Sequence, residues 1–387
     1  MAFDARKMRG TVAIVGVAES DELGRLPHKS SLQLHMEATH SALADAGLKK
    51  SDVDAVFSSG RNTANDVPEY LGIRPRFVGG TQVGGCSFIL HVEHAMAAIN
   101  AGLCEVALIT HGESGYSRIA MPAPRWGDDS TNNQFELPYG ISGPATGYGM
   151  LATRHMHEFG TTSEQLAEVA VATRKWAALN PKAAMREPIT IADVLNSRLI
   201  AWPFHLLDCC LVTDAGGAVI VTSAERARDL AKRPVHVLGT GECTTHQMVS
   251  QMPSFTRWDA AVVSGERAFR MSGVRHEDID VAQFYDAFTI VPMLALEALG
   301  FCAPGESGAF VSGQRTAPGG DFPMNTNGGG LSYTHTGMYG IFTLIEAVRQ
   351  LRGECGPRQV PDATVAICHG TGGVWSAAAT AILSTER

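Results

Sequence analysis

No Cys-x-x-Cys pair occurs among the eight cysteines, at positions 86, 104, 209, 210, 243, 302, 355 and 368, which argues against a zinc ribbon or a redox dithiol. There is no surplus of basic residues: 31 Lys and Arg face 39 Asp and Glu, for a net charge of −8. Neither nucleic acid nor a membrane surface is therefore an expected partner. No apolar run is long enough to span a bilayer. The first ten residues carry Asp4, Arg6, Lys7 and Arg9 and no apolar stretch, so no secretory leader is read. Free thiols in a reducing cytoplasm are the expectation. Low-complexity segments are absent.

What is present is apolar and glycine-rich. Hydrophobic residues make up 45% of 387, charged residues only 18%, and there are 41 glycines. That length exceeds one ordinary core, so two domains or one large α/β unit is expected.

The chain repeats itself. Val12-Ala13-Ile14-Val15-Gly16 reads as a buried strand and returns as Val235-His236-Val237-Leu238-Gly239. Ala46-Gly47-Leu48 through Asp54 returns as Ser272-Gly273-Val274 through Asp280. Each copy is a helix end with a C′ glycine, a short loop and a strand. Both halves then present a glycine-rich turn, a helix and a buried strand. Four matches in one order imply a duplicated α/β domain, 1–230 and 231–387, with mainly parallel sheets covered on both faces. An insertion at about 115–203 is expected to form a cap. It has a turn-rich start at 122–144, a helix near 149–159, and a second helix opened by a capping box at Thr161-Thr162-Ser163-Glu164 and broken by Asn180-Pro181.

Ligands in such folds sit at strand C-termini and helix N-termini. Cys86, in Gly84-Gly85-Cys86-Ser87, falls at such a place; the positive end of a helix favours thiolate and can hold an oxyanion. His335 falls at the matching place in the second half, inside a run of glycines and hydroxyls from Asn325 to Gly340. Two further segments end strands: Tyr285-Asp286-Ala287-Phe288 and Cys368-His369-Gly370-Thr371-Gly372. Other polar residues read as bland. His91 and His94 at i and i+3 make a poor metal pair, so no metal is expected. His111 and His205 read as core histidines, with a place behind the site as the alternative; Cys209 and Cys210 read as core thiols. Arg118, Arg125, Arg174, Lys175 and Lys182 could meet phosphates or form a solvated face.

These blocks, in this order, resemble the thiolase superfamily, and within it the sterol-carrier-protein-type thiolases and thiolase-like relatives. The resemblance covers essentially the whole chain. It implies a duplicated five-layer αβαβα fold with a cap-like insertion in the first half. Its implied chemistry is thiolysis of a 3-oxoacyl-CoA, with a bulky aromatic, branched or steroid acyl group. Cys86 would be the acyl carrier and His335 its base. Cys368 would be the acid/base at the α-carbon, and Tyr285 would position water or polarise the thioester. Gly370, Gly337, Tyr333 and Asn327 would contact substrate. No bound cofactor is implied; coenzyme A is a co-substrate. A homodimer or larger assembly is implied, with a separate small OB-fold/zinc-ribbon subunit as a further partner.

Three positions depart from the family pattern. Thr334 replaces a glycine, Thr336 a proline, and Tyr285 the first residue of His-Asp-Cys-Phe. Tyr285 resembles thiolase-like enzymes that cleave steroid side-chain thioesters by retro-aldol chemistry. Those usually lack the cysteine and have Tyr where this chain has His335. Keeping both Cys86 and His335 favours thiolysis over retro-aldol cleavage, and over an inactive scaffold.

Overall fold

The structure is a computed structural model that describes residues 5–62, 65–119 and 130–387. The first half runs β1 (Val12–Glu19), α1 (Ser31–Ala46), β2 (Ala55–Ser58), α2 (Asp66–Leu71), β3 (Phe77–Gly79), α3 (Ser87–Asn100) and β4 (Val106–Ser114). The insertion holds α4 (Thr131–Phe135), α5 (Gly143–Phe159), α6 (Ser163–Ala178), α7 (Ile191–Asn196) and a small hairpin, β5 (Leu199–Ala201) and β6 (Phe204–His205). β7 (Asp214–Ser223) returns the chain to the first half. The second half runs β8 (Val235–Thr244), α8 (Asp259–Ser272), β9 (Val281–Phe284), α9 (Ile290–Ala298), α10 (Ser307–Val311), α11 (Gly340–Arg352), β10 (Val365–Gly372) and β11 (Ala377–Ser384).

The repeat is real at the level of hydrogen bonds. Nine strands pair in the order β3-β2-β4-β7-β1-β8-β11-β10-β9, so β1-β7-β4-β2 is mirrored by β8-β11-β10-β9. The repeated glycines have a common cause. A Cβ on Gly16 would lie 2.9 Å from Ala46 Cβ, and one on Gly239 would lie 2.9 Å from Ser272 Cβ. Each glycine lets an outer helix, α1 or α8, rest its last turn on the strand. Both helices end at a left-handed glycine, Gly47 at φ 70° and Gly273 at φ 67°. α3 and α11 form an inner layer between the half-sheets, and α11 buries eleven of its thirteen residues. The layers thus run helix, half-sheet, helix pair, half-sheet, helix.

The sheet is mixed, which corrects the expectation of mainly parallel strands. β2 runs parallel to β3 and β4, and β9 to β10; β7 and β11 run antiparallel to both of their neighbours. β10 and β11 are joined by a tight turn through Gly373 and Trp375, both at positive φ, and a hairpin must be antiparallel. The halves meet along a short seam, Ala13 opposite His236 and Ile14 opposite Val235. Arg352 of α11 staples it, reaching Asp45 Oδ2 and Val15 O at 2.8 Å each.

In the insertion, α6 begins one residue later than the sequence pattern implies. Its capping box joins Thr162 to Gln165, not Thr161 to Glu164. The predicted helix near 149–159 extends back to Gly143 because Pro144 suits a first turn. Part of the turn-rich stretch, 120–129, lies outside the described residues.

Candidate active site

A pocket of about 780 Å³ opens where the two half-sheets, the inner helices and the insertion converge. Its inner wall carries Gly84, Gly85, Tyr148, Cys210, Tyr285 and His335. Its outer wall comes from α4, α5 and the 247–249 segment, and the cavity lining as a whole is mostly apolar. Two links tie that wall together: Gln247 donates to Asn132 Oδ1 at 3.3 Å, and Ser250 N–H to Glu136 at 2.7 Å.

Tyr285 and His335 form the centre. Tyr285 follows β9 directly, and its N–H bonds His369 O at 2.9 Å, extending the β9/β10 ladder by one residue. Its ring fits only because Gly85 lacks a side chain: a Cβ there would sit 2.7 Å from Tyr285 Cζ. Tyr285 Oη lies 2.9 Å from His335 Nε2, with the rings edge to face. Gly337 N–H points at His335 Nδ1 from 3.3 Å. A ring nitrogen that accepts carries no proton, so neutral His335 holds its hydrogen on Nε2 and donates to Tyr285 Oη. Burial pushes the imidazole down to about 4 and the phenol well above its ordinary value. At neutral pH the pair is an uncharged phenol–imidazole dyad.

The backbone around the dyad is pinned from several elements. His335 N–H donates to Thr213 Oγ1 at 2.8 Å, Thr213 N–H returns to His335 O at 2.9 Å, and Thr213 Oγ1 also meets Thr334 Oγ1 at 2.8 Å. The glycine run forms a single π-helical turn, Gly329–Tyr333. Its leading N–H groups, on Gly330 and Leu331, donate to the Asp286 carboxylate. Burial lifts Asp286 to about 7 against those donors.

Both predicted thiols stand behind this wall. Cys86 is fully buried at the N-cap of α3, and its Sγ lies 3.9 Å from Val83 O. Burial pushes its thiol up to about 12. Gly370 and Gly372 pack on it: Cβ atoms there would come within 3.1 Å of Cys86 Cβ and Sγ. Cys368 is buried on the same face of β10 as Gly370, two residues before it, its thiol directed at Thr343 O of α11 at 3.5 Å. Of the four residues proposed to contact substrate, Gly337 lines the pocket and Gly370 backs Cys86. Asn327 instead accepts from Gly329 N–H and Tyr339 Oη at 2.8 Å, and Tyr333 packs on Phe342. Those two side chains hold the loop.

The sequence missed several pocket residues, Tyr148, Cys209 and Cys210 among them. Tyr148 reaches in from α5, with its Oη 3.0 Å from Thr371 Oγ1 and donating to Gly373 O at 2.8 Å. Cys210, read as core, lines the cavity beside Tyr285. The basic residues are mostly spent elsewhere. Arg174 is buried, bonding Ser332 Oγ at 2.8 Å, and Lys182 pairs with buried Glu19 at 2.9 Å; Arg125 lies outside the described residues. His91 Nε2 meets Thr81 O and His94 pairs with Glu242. Among the described residues no three metal-ligating side chains converge, and no helix is long and apolar enough to cross a membrane.

Residues 241–385 match the family model described as thiolase C-terminal domain-like. The chain is 40% identical over 362 residues to the 17-hydroxy-3-oxo-4-pregnene-20-carboxyl-CoA lyase of Mycobacterium tuberculosis, covering 89% of this chain and 92% of that one. It is 33% identical over 383 residues to an acetyl-CoA acetyltransferase of Methanothermobacter thermautotrophicus, covering 96% and 99%. The solved Ltp2–ChsH2(DUF35) aldolase superposes with a TM-score of 0.90 at 35% identity, over 98% of this chain and 99% of that one. The fold alone is shared with a monomeric SCP2-thiolase-like protein of Mycobacterium smegmatis, at a TM-score of 0.78 and 22% identity, over 100% of this chain and 79% of that one.

Proposed function

We propose that this chain, which belongs to the thiolase superfamily and its SCP2-thiolase-like subfamily, is a retro-aldol lyase acting on a 3-hydroxyacyl-CoA with a bulky apolar acyl group. One observation carries the reading: the Tyr285–His335 dyad lines the pocket while Cys86 and Cys368 do not. Tyr285 in its phenolate form, held by the Nε2–H of His335, takes the proton of the substrate's 3-hydroxyl. The C2–C3 bond breaks, its electrons pass into the thioester enolate, and C3 leaves as a ketone or aldehyde. The proton returns to C2, giving a shortened acyl-CoA. Nothing is oxidised and no free CoA is consumed. The N-termini of α3 and α11 both point at the cavity and favour the enolate charge.

The lyase of M. tuberculosis and the aldolase complex support this order of preference. A second reading, thiolysis through Cys86, is supported by the acetyltransferase relative and by the place of Cys86 at a helix N-cap beside Gly370. Products decide between them. Retro-aldol cleavage yields a carbonyl compound from a 3-hydroxyacyl-CoA without CoA; thiolysis needs CoA and turns a 3-oxoacyl-CoA into two thioesters. A rate that climbs with pH through the alkaline range fits Tyr285 as base. A plateau from about pH 5 upward would move the base to His335.

We further propose a homodimer and a small DUF35-type partner. The partner is supported by the aldolase neighbour, itself a two-protein assembly. Among the described residues, nine of the sixteen exposed large apolar side chains fall within 115–203, including Tyr139 and Trp202, which line a separate surface groove on the insertion. Such a cluster marks a protein-facing surface.

A further inference from the structure

We infer that His111 is a positioning residue for His335: it holds the turn after the catalytic imidazole by donating to Thr336. His111 lies near the end of β4, fully buried between Phe88 of α3 and Phe342 of α11. Its Nε2 is 2.6 Å from Thr336 Oγ1. Thr336 has one hydroxyl proton and gives it to Met338 O at 3.1 Å. The hydroxyl therefore accepts from His111, which fixes the hydrogen of His111 on Nε2.

Two features bear on this contact. First, His111 Nδ1 is buried with no partner. An orphaned buried nitrogen is costly, and a leucine or phenylalanine would avoid that cost. A residue that breaks the packing rule at the edge of a site has a reason there. Second, Thr336 stands where the family block carries proline. A proline stiffens the turn covalently; here a hydrogen bond from another strand does the same work. The turn matters because Gly337 N–H, one residue on, aims at His335 Nδ1 and so selects the Nε2–H tautomer that faces Tyr285. If the turn loosens, the imidazole loses that bond and the dyad loses its fixed polarity.

The effect on turnover rests on the retro-aldol reading; the effect on the imidazole does not. The test therefore reads both. In the full chain, Thr336→Val and His111→Leu should each lower kcat about ten- to a hundred-fold with KM changed less than about three-fold. The ¹⁵N pattern of the His335 ring should change from a single Nε2–H tautomer to an averaged one. His111→Gln, which keeps an N–H donor, should fall between. Adding Thr336→Pro to His111→Leu should recover the single tautomer and most of kcat. Thr336→Val keeps the branched shape and is nearly isosteric, so it serves if His111→Leu fails to fold. An unchanged ring pattern and kcat in Thr336→Val would overturn the inference. If the parent chain cleaves no 3-hydroxyacyl-CoA, the functional reading fails and the ring pattern alone decides the positioning role.

Discussion

The two halves of this molecule share a frame and divide the labour. β1, β7, β4 and β2 match β8, β11, β10 and β9, and each half aims one inner helix at the cavity. Yet the first half delivers a thiol that is sealed behind Gly370 and Gly372, while the second delivers a phenol and an imidazole on the pocket wall. Duplication fixes where a helix N-terminus points. It does not fix which side chain meets the substrate; that depends on a few atoms of clearance at each copy.

The largest effect expected follows from this asymmetry. Tyr285→Phe should cut retro-aldol cleavage by roughly a hundred- to ten-thousand-fold, the usual worth of a general acid/base. Cys86→Ala should change it less than about three-fold on the same scale. Steady-state assays of ketone release, run on both variants, check the pair. A large loss in Cys86→Ala with little loss in Tyr285→Phe would reverse the comparison and restore thiolysis. Alkylation gives an independent view: a thiol held near 12 and fully buried should resist iodoacetamide at pH 8 in the folded chain.

How far the sequence could reveal this division depends on what leaves a local signature. The repeat was legible because Gly16 and Gly239, and Gly47 and Gly273, are forced by backbone contact and left-handed geometry. β7 and β11 were not read as strands. Asp214–Ser223 opens with Asp-Ala-Gly-Gly, which masks the β-branched Val219-Ile220-Val221-Thr222 that follows, and Ala377–Ser384 is rich in alanine and shows no such run. They were the strands that made the sheet mixed. At the site, Tyr285 and His335 sit in recognisable blocks. Tyr148, the Cys210–Thr213 segment and His111 come from three separate places in the chain, and only folding brings them together. Nor could spacing reveal that Cys368 faces α11, since that depends on the face of β10 it occupies.

A smaller effect tests how the halves meet. Gly85 belongs to the first half and contributes space, not chemistry. Its φ is not in the left-handed region, so alanine is allowed there by the backbone; the clash is with Tyr285, at 2.7 Å from Cζ and 2.8 Å from Oη. Gly85→Ala should tilt the ring off His335 and lower kcat about a hundred-fold. The phenol–imidazole coupling should vanish from the NMR spectrum of the same variant. Full activity in Gly85→Ala would mean that the ring can shift without loss, and that the dyad distance is not the controlling variable. Smaller again, Trp202→Glu on the exposed insertion should leave the isolated chain's turnover within about two-fold, since surface changes rarely exceed ±0.5 kcal/mol. The same change should weaken any DUF35-type partner measurably by size-exclusion mass.

The last comparison concerns protons that both halves bury without using them in the reaction. His35 and His91 in the first half and His369 in the second are each pushed down to about 3 by burial, and His111 lies well below its ordinary value. A histidine whose folded pKa lies below its free value of about 6.5 takes up its proton only in the unfolded chain. Its contribution is therefore complete above about 6.5 and is lost as pH falls toward 4, by about 1.4 kcal/mol per pH unit for each such group. Asp286 and Glu113, both held up to about 7 by burial, act with the opposite sign and favour the fold as pH falls from 7. The net curve mixes these terms, so the clean measurement is a difference. His35 touches no pocket residue and its Nε2 has no partner. His35→Phe should remove one imidazole from the balance and flatten the pH dependence of stability by about 1.4 kcal/mol per unit between pH 6 and 4, read from urea midpoints. An unchanged slope would mean that His35 is already protonated in the folded chain, and that the interior beneath the first half-sheet is wetter than its burial implies.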